Sequence, residues 1–303
     1  MRFPKPSLAI RRFFVRGPAA ALGLAVIVML VPFSAHPQAD SVQRIVSLNP
    51  SLTEILLSLD ARSLLVGVDD YSADHSSSVS DLPKVGGLYS PSLEAVVALQ
   101  PDLVVLVPSA EQRDFQKRLH ALGIRVETFE NIRFEDVIEN IRRLGALTDR
   151  VSEAKRRVDT AQRARSVARE VVGDLAPPRV LVVLQRDPVY VVGGGSFIDE
   201  MLRAAGARNI AARFAEPYPR VGVEWVVAEG PGILLDLSPD PEGAFDYWSR
   251  WPSIPAVADR RVVTLDAALV SMPGPHLDKA IVQLAEVLHG EAVSAAIARQ
   301  VQP

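Results

Sequence analysis

The chain has 303 residues, no cysteine, 48% apolar residues and a formal net charge of −3. This length is enough for two domains with a large core. The absence of cysteine excludes disulfides, thiolate metal sites, a cysteine nucleophile and a lipid-modified N-terminal cysteine. The weak negative charge argues against a nucleic-acid partner, which needs a basic face. The 23% charged fraction argues against a multispan membrane protein.

Residues 1–39 have the composition of an export signal. They contain five basic residues and no acidic residue, and their uncharged apolar run at 19–31 is too short to span a bilayer. We predict a cleavable signal peptide over 1–39, with an uncleaved anchor as the alternative. Arg11–Arg16 (RRFFVR) resembles the twin-arginine export motif, although an ordinary basic n-region is an equal alternative. Without this segment the chain has 28 basic and 36 acidic residues, a net charge of −8.

From Arg44 onward, short apolar strands alternate with helices. This alternation predicts a mostly parallel sheet covered by helices. In the first half, strands are predicted at 45–48, 64–68, 103–107 and 125–128. One helix is predicted to begin at Ser51, and others are predicted at 94–99, 111–122 and 135–147. We predict that Ser51 caps the first helix through a capping box. Ser90 is predicted to cap the helix that contains Glu94, with Pro91 as its first residue.

Residues 149–175 follow a different pattern. Apolar residues recur every three or four positions, interrupted only by Arg165, and most other positions are charged. The apolar stripe is Val151, Ala154, Val158, Ala161, Ala168, Val172 and Leu175. We predict one long linking helix over 149–176. A coiled-coil dimer would give the same pattern, but Val and Ala make a weak zipper, so we favour packing along the two halves of the same chain.

The strand–helix alternation resumes after the linking helix. Strands are predicted at 179–184, 189–192, 233–237 and 262–265, and helices after Ser196 and at 277–288. Residues 92–106 align without a gap on residues 222–236, so the two halves resemble each other locally. We predict an α/β fold of two lobes with mostly parallel sheets flanked by helices, bridged by one long α-helix. The lobes span 40–148 and 177–303, with a ligand cleft between them.

Three segments show a resemblance to a known family. They are Arg44–Glu54 (RIVSLNPSLTE), Gly67–Tyr71 (GVDDY) and Ser92–Val104 (SLEAVVALQPDLV). They resemble the helical-backbone periplasmic substrate-binding proteins of ABC importers, which transport cobalamin, ferric siderophores and haem. Within this family the chain is most similar to the cobalamin-binding proteins. The resemblance implies a periplasmic monomer that has no cofactor, captures cobalamin in the cleft and delivers it to a membrane permease.

The same resemblance implies two docking residues. Glu94 and Glu224 occupy equivalent positions in the internal repeat, one in each lobe. In the family, two such glutamates contact arginines of the permease, and paired carboxylates suit a bidentate contact with guanidinium groups. The alternative is an exposed glutamate that interacts with the dipole of its helix.

Seven residues are candidates for ligand contact. They are Pro50, Ser51, Tyr71, Tyr89, Gln185, Tyr218 and Met272. Tyr71 matches a family tyrosine that contacts cobalamin, and Tyr218 stands where the cobalamin binder has a tryptophan. Pro50 and Ser51 follow the first strand, at the edge that faces the cleft in this architecture. Each tyrosine has the alternative role of packing a loop. Residues 267–271 diverge from the cobalamin subgroup, so ferric siderophore and haem stay open as ligands.

Carriers of other ligands, and enzymes, would each require particular residues in the sequence. A haem carrier needs an axial Tyr or His, for which Tyr71, Tyr89 or His75 is available. A siderophore carrier needs basic cleft residues, for which Arg186 and Arg220 are available. A zinc or manganese carrier needs converging ligands, and the five histidines lack close ligand spacing. An enzyme is the remaining class, but no nucleophile elbow, HExxH motif or lysine-containing Walker loop occurs. We therefore expect a binding protein without catalysis.

Overall fold

A computed structural model of the protein describes residues 42–110 and 112–301. The predicted signal peptide over 1–39 lies outside the described residues. Within them, no helix is long and apolar enough to cross a membrane.

The N-terminal lobe contains a four-stranded parallel sheet in the order β2-β1-β5-β6. The strands of this lobe are β1 Ile45–Ser47, β2 Leu65–Val68, β3 Gly86–Gly87, β4 Ser90–Pro91, β5 Leu103–Leu106 and β6 Arg125–Thr128. The helices are α1 Pro50–Ser58, α2 Asp70–His75, α3 Leu93–Ala98, α4 Arg113–Ala121 and α5 Phe134–Leu147. Strands β3 and β4 form a separate small antiparallel pair.

The C-terminal lobe follows the long helix α6, which spans Val151–Val171. Its strands are β7 Arg179–Arg186, β8 Val189–Val191, β9 Arg208–Asn209, β10 Ile233–Asp236 and β11 Val262–Thr264. Their order is β11-β10-β7-β8, with β9 paired to β7, and only β8 runs antiparallel, as the hairpin partner of β7. The helices are α7 Phe197–Ala204, α8 Val223–Glu229, α9 Ala244–Trp248, α10 Pro255–Ala258, α11 Ala267–Ser271, α12 Leu277–His289 and α13 Glu291–Val301. The sequence analysis did not predict α2, α9, α10, α11 or α13.

Two predicted helix caps were wrong. Asn49, not Ser51, caps α1: its side chain accepts a hydrogen bond from the Ser51 backbone N–H, and Pro50 is the first helical residue. Ser92, not Ser90, caps α3 by accepting from the Ala95 N–H. Ser90 cannot cap this helix because it lies in β4, paired with Gly87. In both cases a second residue of capping type stood within two positions of the predicted one.

The buried stripe of α6 is shorter than predicted. Its buried residues are Ala154, Val158, Ala161, Ala164 and Ala168. Val151 is 61% exposed and Leu175, which lies beyond the end of the helix, is 42% exposed. The small alanine side chains let neighbouring helices from both lobes approach α6 closely, as expected for a helix within one molecule.

One core extends across both lobes. It contains alternate residues of the central strands, such as Ile45 and Leu103 in the first sheet and Val180 and Ile233 in the second, together with the buried face of α6. The intervening strand residues face two smaller cores, one on the outer side of each lobe. The lobes therefore belong to one compact unit. A backbone hydrogen bond of 2.7 Å from Phe197 N–H to the Ile132 carbonyl also joins them directly.

Candidate functional site

Two adjacent cavities lie where the two lobes face each other. The larger has a volume of about 330 Å³ and the smaller about 260 Å³. Both are lined by Pro50 and Tyr71 from the N-terminal lobe and by Ala268 and Met272 from the C-terminal lobe. These residues follow β1, β2 and β11, so the cavities lie at the carboxyl ends of parallel strands, where ligands bind in open α/β sheets.

The walls of the larger cavity combine aromatic, imidazole and carboxylate groups. The N-terminal wall includes Pro50, Glu54, Tyr71 and His75. The C-terminal wall includes Asp266, Leu269, Met272 and His276. Among the described residues that line the two cavities, none is lysine or arginine. The described lining of the two cavities is therefore rich in hydrogen-bond acceptors and has no strongly basic side chain.

Tyr71 is held in place by its own helix. Asp69 caps α2 by accepting hydrogen bonds from the N–H and the hydroxyl of Ser72, and burial raises the pKa of the Asp69 carboxyl. Tyr71 is 43% exposed, and the His75 ring stacks on one of its faces at a centroid distance of 3.9 Å and an interplanar angle of 13°. Only the other face of Tyr71 is open to a ligand.

His276 lies on the opposite wall with an unused ring nitrogen. Its Nδ1 is buried and makes no hydrogen bond within the described part of the chain. Burial, together with the nearby cations Lys279 and Arg157, holds the pKa of His276 below its usual range. The His276 imidazole is therefore neutral at neutral pH, and its buried Nδ1 has no partner among the described residues.

Of the seven predicted ligand-contacting residues, four line the cavities. Pro50, Tyr71 and Met272 line both, and Ser51 lines the smaller one, where its hydroxyl lies 2.6 Å from the Asn49 side-chain oxygen. Their contact with ligand stays a prediction.

The other three predicted residues lie elsewhere. Tyr89 is 69% exposed, and its neighbour Leu88 lines the smaller cavity instead. Gln185 is exposed and donates a hydrogen bond to the Asp187 carbonyl. Tyr218 packs against the shared core, and burial raises its pKa to about 12. Contact of these three residues with a ligand stays a prediction.

Arg186 and Arg220 are not basic cleft residues. Both line a separate cavity of about 320 Å³ in the C-terminal lobe. Arg186 is bound there by two carboxylates, Asp236 at 3.0 Å and Asp240 at 3.3 Å, and its side chain is only 11% exposed. Its charge is therefore neutralised within the lobe and does not reach the two cleft cavities.

Three consecutive glycines, at 193–195, form a turn before α7. The N–H groups of Gly193 and Gly194 donate hydrogen bonds to the carbonyls of Pro217 and Phe214. A side chain at Gly193 would overlap the Glu216 carbonyl. Glycine at these positions lets two backbone segments approach closely.

Glu94 and Glu224 are exposed at the second position of α3 and of α8. Both helices precede a parallel strand of their sheet, β5 and β10. The only ion pair that either makes within the described residues is between Glu94 and Arg118, at 3.9 Å. Within the described ranges, no three or more His, Asp or Glu side chains lie in an arrangement that could hold a metal ion.

Two α/β lobes, a rigid helix between them and a cleft at the carboxyl ends of their strands define a two-lobed substrate-binding protein. Over residues 45–269 the chain matches the family model described as "Periplasmic binding protein", and it belongs to that family. It is thus a periplasmic substrate-binding transport protein rather than an enzyme, and its partners are a small-molecule ligand and an ABC transporter permease.

The chain is similar to several characterised members. A vitamin B12-binding protein of Vibrio parahaemolyticus is 27% identical over 267 residues, covering 86% of this chain and 94% of the relative. The structure of a haem-binding protein from Pseudomonas aeruginosa is 28% identical, with a TM-score of 0.69 and coverage of 82% of this chain and 93% of the other. The vitamin B12-binding protein of Vibrio cholerae has the same fold, at 23% identity, a TM-score of 0.71, and coverage of 82% and 97%.

Several residues that line the larger cavity were not among the ligand-contacting residues predicted from the sequence. Glu54, Asp266 and His276 line the larger cavity, and His75 was considered only as a haem ligand. Asp266 directly follows a predicted strand, which is a signal that could have identified it. Glu54 and His276 come together only through the packing of the two lobes, which has no local signature.

Proposed function

We propose that this protein captures cobalamin in the cleft between its lobes and delivers it to an ABC importer permease. The observation that supports this proposal best is the chemistry of the cavity walls. They offer carboxylates, imidazoles and an aromatic ring but no lysine or arginine. The periphery of cobalamin is rich in neutral amides, whose N–H groups need acceptors rather than cations. The similarity of this chain to vitamin B12-binding proteins also supports cobalamin as the ligand.

An anionic ligand fits these walls less well. A ferric siderophore or the propionates of haem would meet Glu54 and Asp266 without a compensating basic group. Bringing like charges together in a partly desolvated cleft is unfavourable. Haem is the second candidate because Tyr71 and His75 supply axial-ligand chemistry and because a haem-binding protein is among the similar structures.

The proposal extends to delivery. Glu94 and Glu224 dock the loaded protein onto arginines of the permease, with one carboxylate from each lobe. The protein acts as a monomer without a resident cofactor, and it reaches the periplasm through a cleavable signal peptide over residues 1–39. The exposure of both glutamates at matching helix positions supports this assignment.

Calorimetric titration tests the choice of ligand. The full chain is expressed, recovered from the periplasm and titrated with cyanocobalamin, hemin and an anionic ferric catecholate siderophore. We expect saturable binding of cyanocobalamin, weakened about tenfold or more in Tyr71→Ala because the open ring face is lost. Phe245→Ala is the matched control, since Phe245 is a 38% exposed aromatic residue that lines neither cleft cavity. Tight binding of hemin or siderophore without binding of cyanocobalamin would reject cobalamin as the ligand.

A further inference from the structure

A cavity of about 320 Å³ in the C-terminal lobe lies apart from the cleft. Its walls come from the end of β7, the start of β8, the segment that leads into α8, and the end of α9 with the turn that follows. Among the described residues, none lines both this cavity and one of the two cleft cavities. We call it the arginine cavity, because Arg186, Arg220 and Arg250 line it. Capture of a ligand in the cleft makes no use of it.

The arginine cavity has an excess of unpaired positive charge. Arg186 is already neutralised by two carboxylates of its own lobe. Arg220 and Arg250 are exposed and make no ion pair with any described residue. Asp187 is the one carboxylate in the described lining, and it too forms no ion pair within the described part of the chain. Two guanidinium groups against one carboxylate therefore remain available to a partner.

The guanidinium group of Arg250 is oriented by its neighbours. Its Nε donates a hydrogen bond of 2.9 Å to the Tyr247 carbonyl, and its central carbon lies 4.1 Å from the centre of the Tyr247 ring and 4.6 Å from that of Trp251. Tyr247 is itself anchored, because its hydroxyl donates a hydrogen bond of 2.7 Å to the Arg186 carbonyl. An arginine that is already supported on aromatic rings loses little side-chain freedom when it binds a carboxylate.

The arginine cavity borders the exposed glutamate of this lobe. Val221 and Val223 line the cavity, and Glu224 follows directly in α8. The Glu224 carboxylate turns back toward Gly222, which lies between the two valines. One of its oxygens is 2.8 Å from the position that a Cβ on Gly222 would occupy. A carboxylate and a cavity with excess positive charge thus lie side by side on one surface.

We propose that the arginine cavity is a second part of the permease-docking surface and receives an acidic side chain of the permease. This inference rests on the proposed docking role of Glu224. An arginine of the permease binds Glu224, while an aspartate or glutamate of the permease binds Arg220 and Arg250. Neighbouring contacts of opposite polarity fix the register of an interface and reject partners with misplaced charges. In the N-terminal lobe, Ser90 occupies the position, two residues before the helix cap, that Arg220 occupies here, so the contact also distinguishes the lobes.

Direct binding to the permease tests this surface. The permease to which this protein delivers its ligand is purified in lipid nanodiscs, and its affinity for the immobilised full chain is measured by biolayer interferometry. We expect Arg220→Glu combined with Arg250→Glu to weaken binding at least about tenfold, and the corresponding double Gln variant about threefold or more. Each variant should keep its melting temperature within about 4 °C of wild type, which shows that it is folded.

A matched pair of arginines controls for net charge. Arg163 and Arg169 are exposed on α6 and form no ion pair within the described residues. Arg163→Glu combined with Arg169→Glu changes the net charge by the same amount and should leave the affinity for the permease within about twofold of wild type. An equal loss in this control would mean that binding responds to net charge alone, and it would overturn the inference.

A compensating change in the permease identifies the occupant of the arginine cavity. Exposed acidic residues on the periplasmic face of the permease are changed to lysine one at a time. We expect one such change to restore binding of the double Glu variant to within about threefold of the wild-type affinity, because the ion pair forms again with opposite polarity. A loss of binding that no lysine substitution restores would contradict an acidic side chain as the occupant.

The outcomes separate this inference from the proposed function. If Glu224→Lys weakens binding to the permease but the double arginine variants do not, the arginine cavity is not part of the docking surface, although the proposed function stands. If neither change weakens binding, or if the wild-type protein does not bind the permease, the docking role of Glu224 and this inference both fail. Arginine-dependent binding of the wild-type protein to permease-free nanodiscs of phosphatidylglycerol would identify a membrane surface as the partner and overturn the inference.

Discussion

Glu94 and Glu224 occupy the same position in the two lobes. Each is the second residue of a short helix, and each helix leads into an inner strand of its sheet, β5 or β10. Both carboxylates are exposed, and the only ion pair between them and the rest of the described chain, from Glu94 to Arg118, spans 3.9 Å at the surface. Such an exposed pair is weak and salt-sensitive, so both carboxylates are available to a partner.

Charge reversal at these positions should separate delivery from binding. We expect Glu94→Lys combined with Glu224→Lys to abolish permease-dependent uptake, because lysines would repel the arginines of the permease. Affinity for ligand, measured by calorimetry, should change less than twofold or so, since neither residue lines the cleft cavities. Glu170→Lys, at an exposed position on α6, is the matched control and should leave uptake intact. Uptake by the double variant at the wild-type rate would contradict the docking assignment.

Arg165 should stabilise the junction between the lobes. From α6 it reaches Glu135 of α5 at 2.7 Å and Glu200 of α7 at 3.8 Å, and it lies 4.3 Å over the Phe134 ring. Because its side chain is only 17% exposed, these contacts are poorly replaced by water. We expect Arg165→Ala to lower the free energy of unfolding by about 1–3 kcal/mol.

Urea denaturation measures this loss, and a neighbour on the same helix provides the control. Arg163 is exposed and forms no ion pair within the described residues, so Arg163→Ala should change the unfolding free energy by less than about 0.5 kcal/mol. Equal effects of the two substitutions would show that Arg165 does not hold the lobes together.

His276 should make stability depend on pH. Its pKa in the folded protein is lowered from the ordinary value of 6.5, chiefly by burial. The unfolded chain therefore takes up a proton near pH 6.5 while the folded protein does not, so stability falls as the pH drops from that value to the folded pKa. Relative to His276→Gln, the wild-type unfolding free energy should decline over this interval. Parallel stability curves for the two proteins below pH 6.5 would contradict the lowered pKa.

The order of strands and helices was predictable because it follows from local patterns. Alternating apolar runs and helical spacing identified both sheets and α6, and the hairpin partner of β7 was also confirmed. The caps at Asn49 and Ser92 were missed because neighbouring residues of similar type compete for the same role. Which of the two neighbouring residues caps the helix depends on strand pairing and backbone angles that a single sequence does not specify.

The candidate site was predictable only in part, because one of its walls depends on packing between the lobes rather than on local sequence. Tyr71 and Pro50 follow strands of the first lobe, so the fold alone places them at the cleft. The opposite wall depends on how far α12 and its preceding loop lie from α2, and that distance is set by packing across the shared core. His276 therefore has no local signal, whereas the stacking of His75 on Tyr71 could have been expected from their spacing of four within one short helix.

The Gly193 turn offers a last test of how the C-terminal lobe is built. The Gly193 N–H donates to the Pro217 carbonyl at 2.9 Å, and a Cβ at this position would overlap the Glu216 carbonyl. Gly193→Ala must therefore push away the loop that contains Tyr218, and we expect it to lower the free energy of unfolding by about 1–3 kcal/mol. Gly195 has a φ of +76° but open space around it, so Gly195→Asn should lower the unfolding free energy by less than about 1 kcal/mol, because Asn tolerates that backbone conformation. Chemical denaturation of the two variants makes the comparison. A larger loss for Gly195→Asn than for Gly193→Ala would mean that backbone conformation, not the close approach of the two segments, requires glycine in this turn.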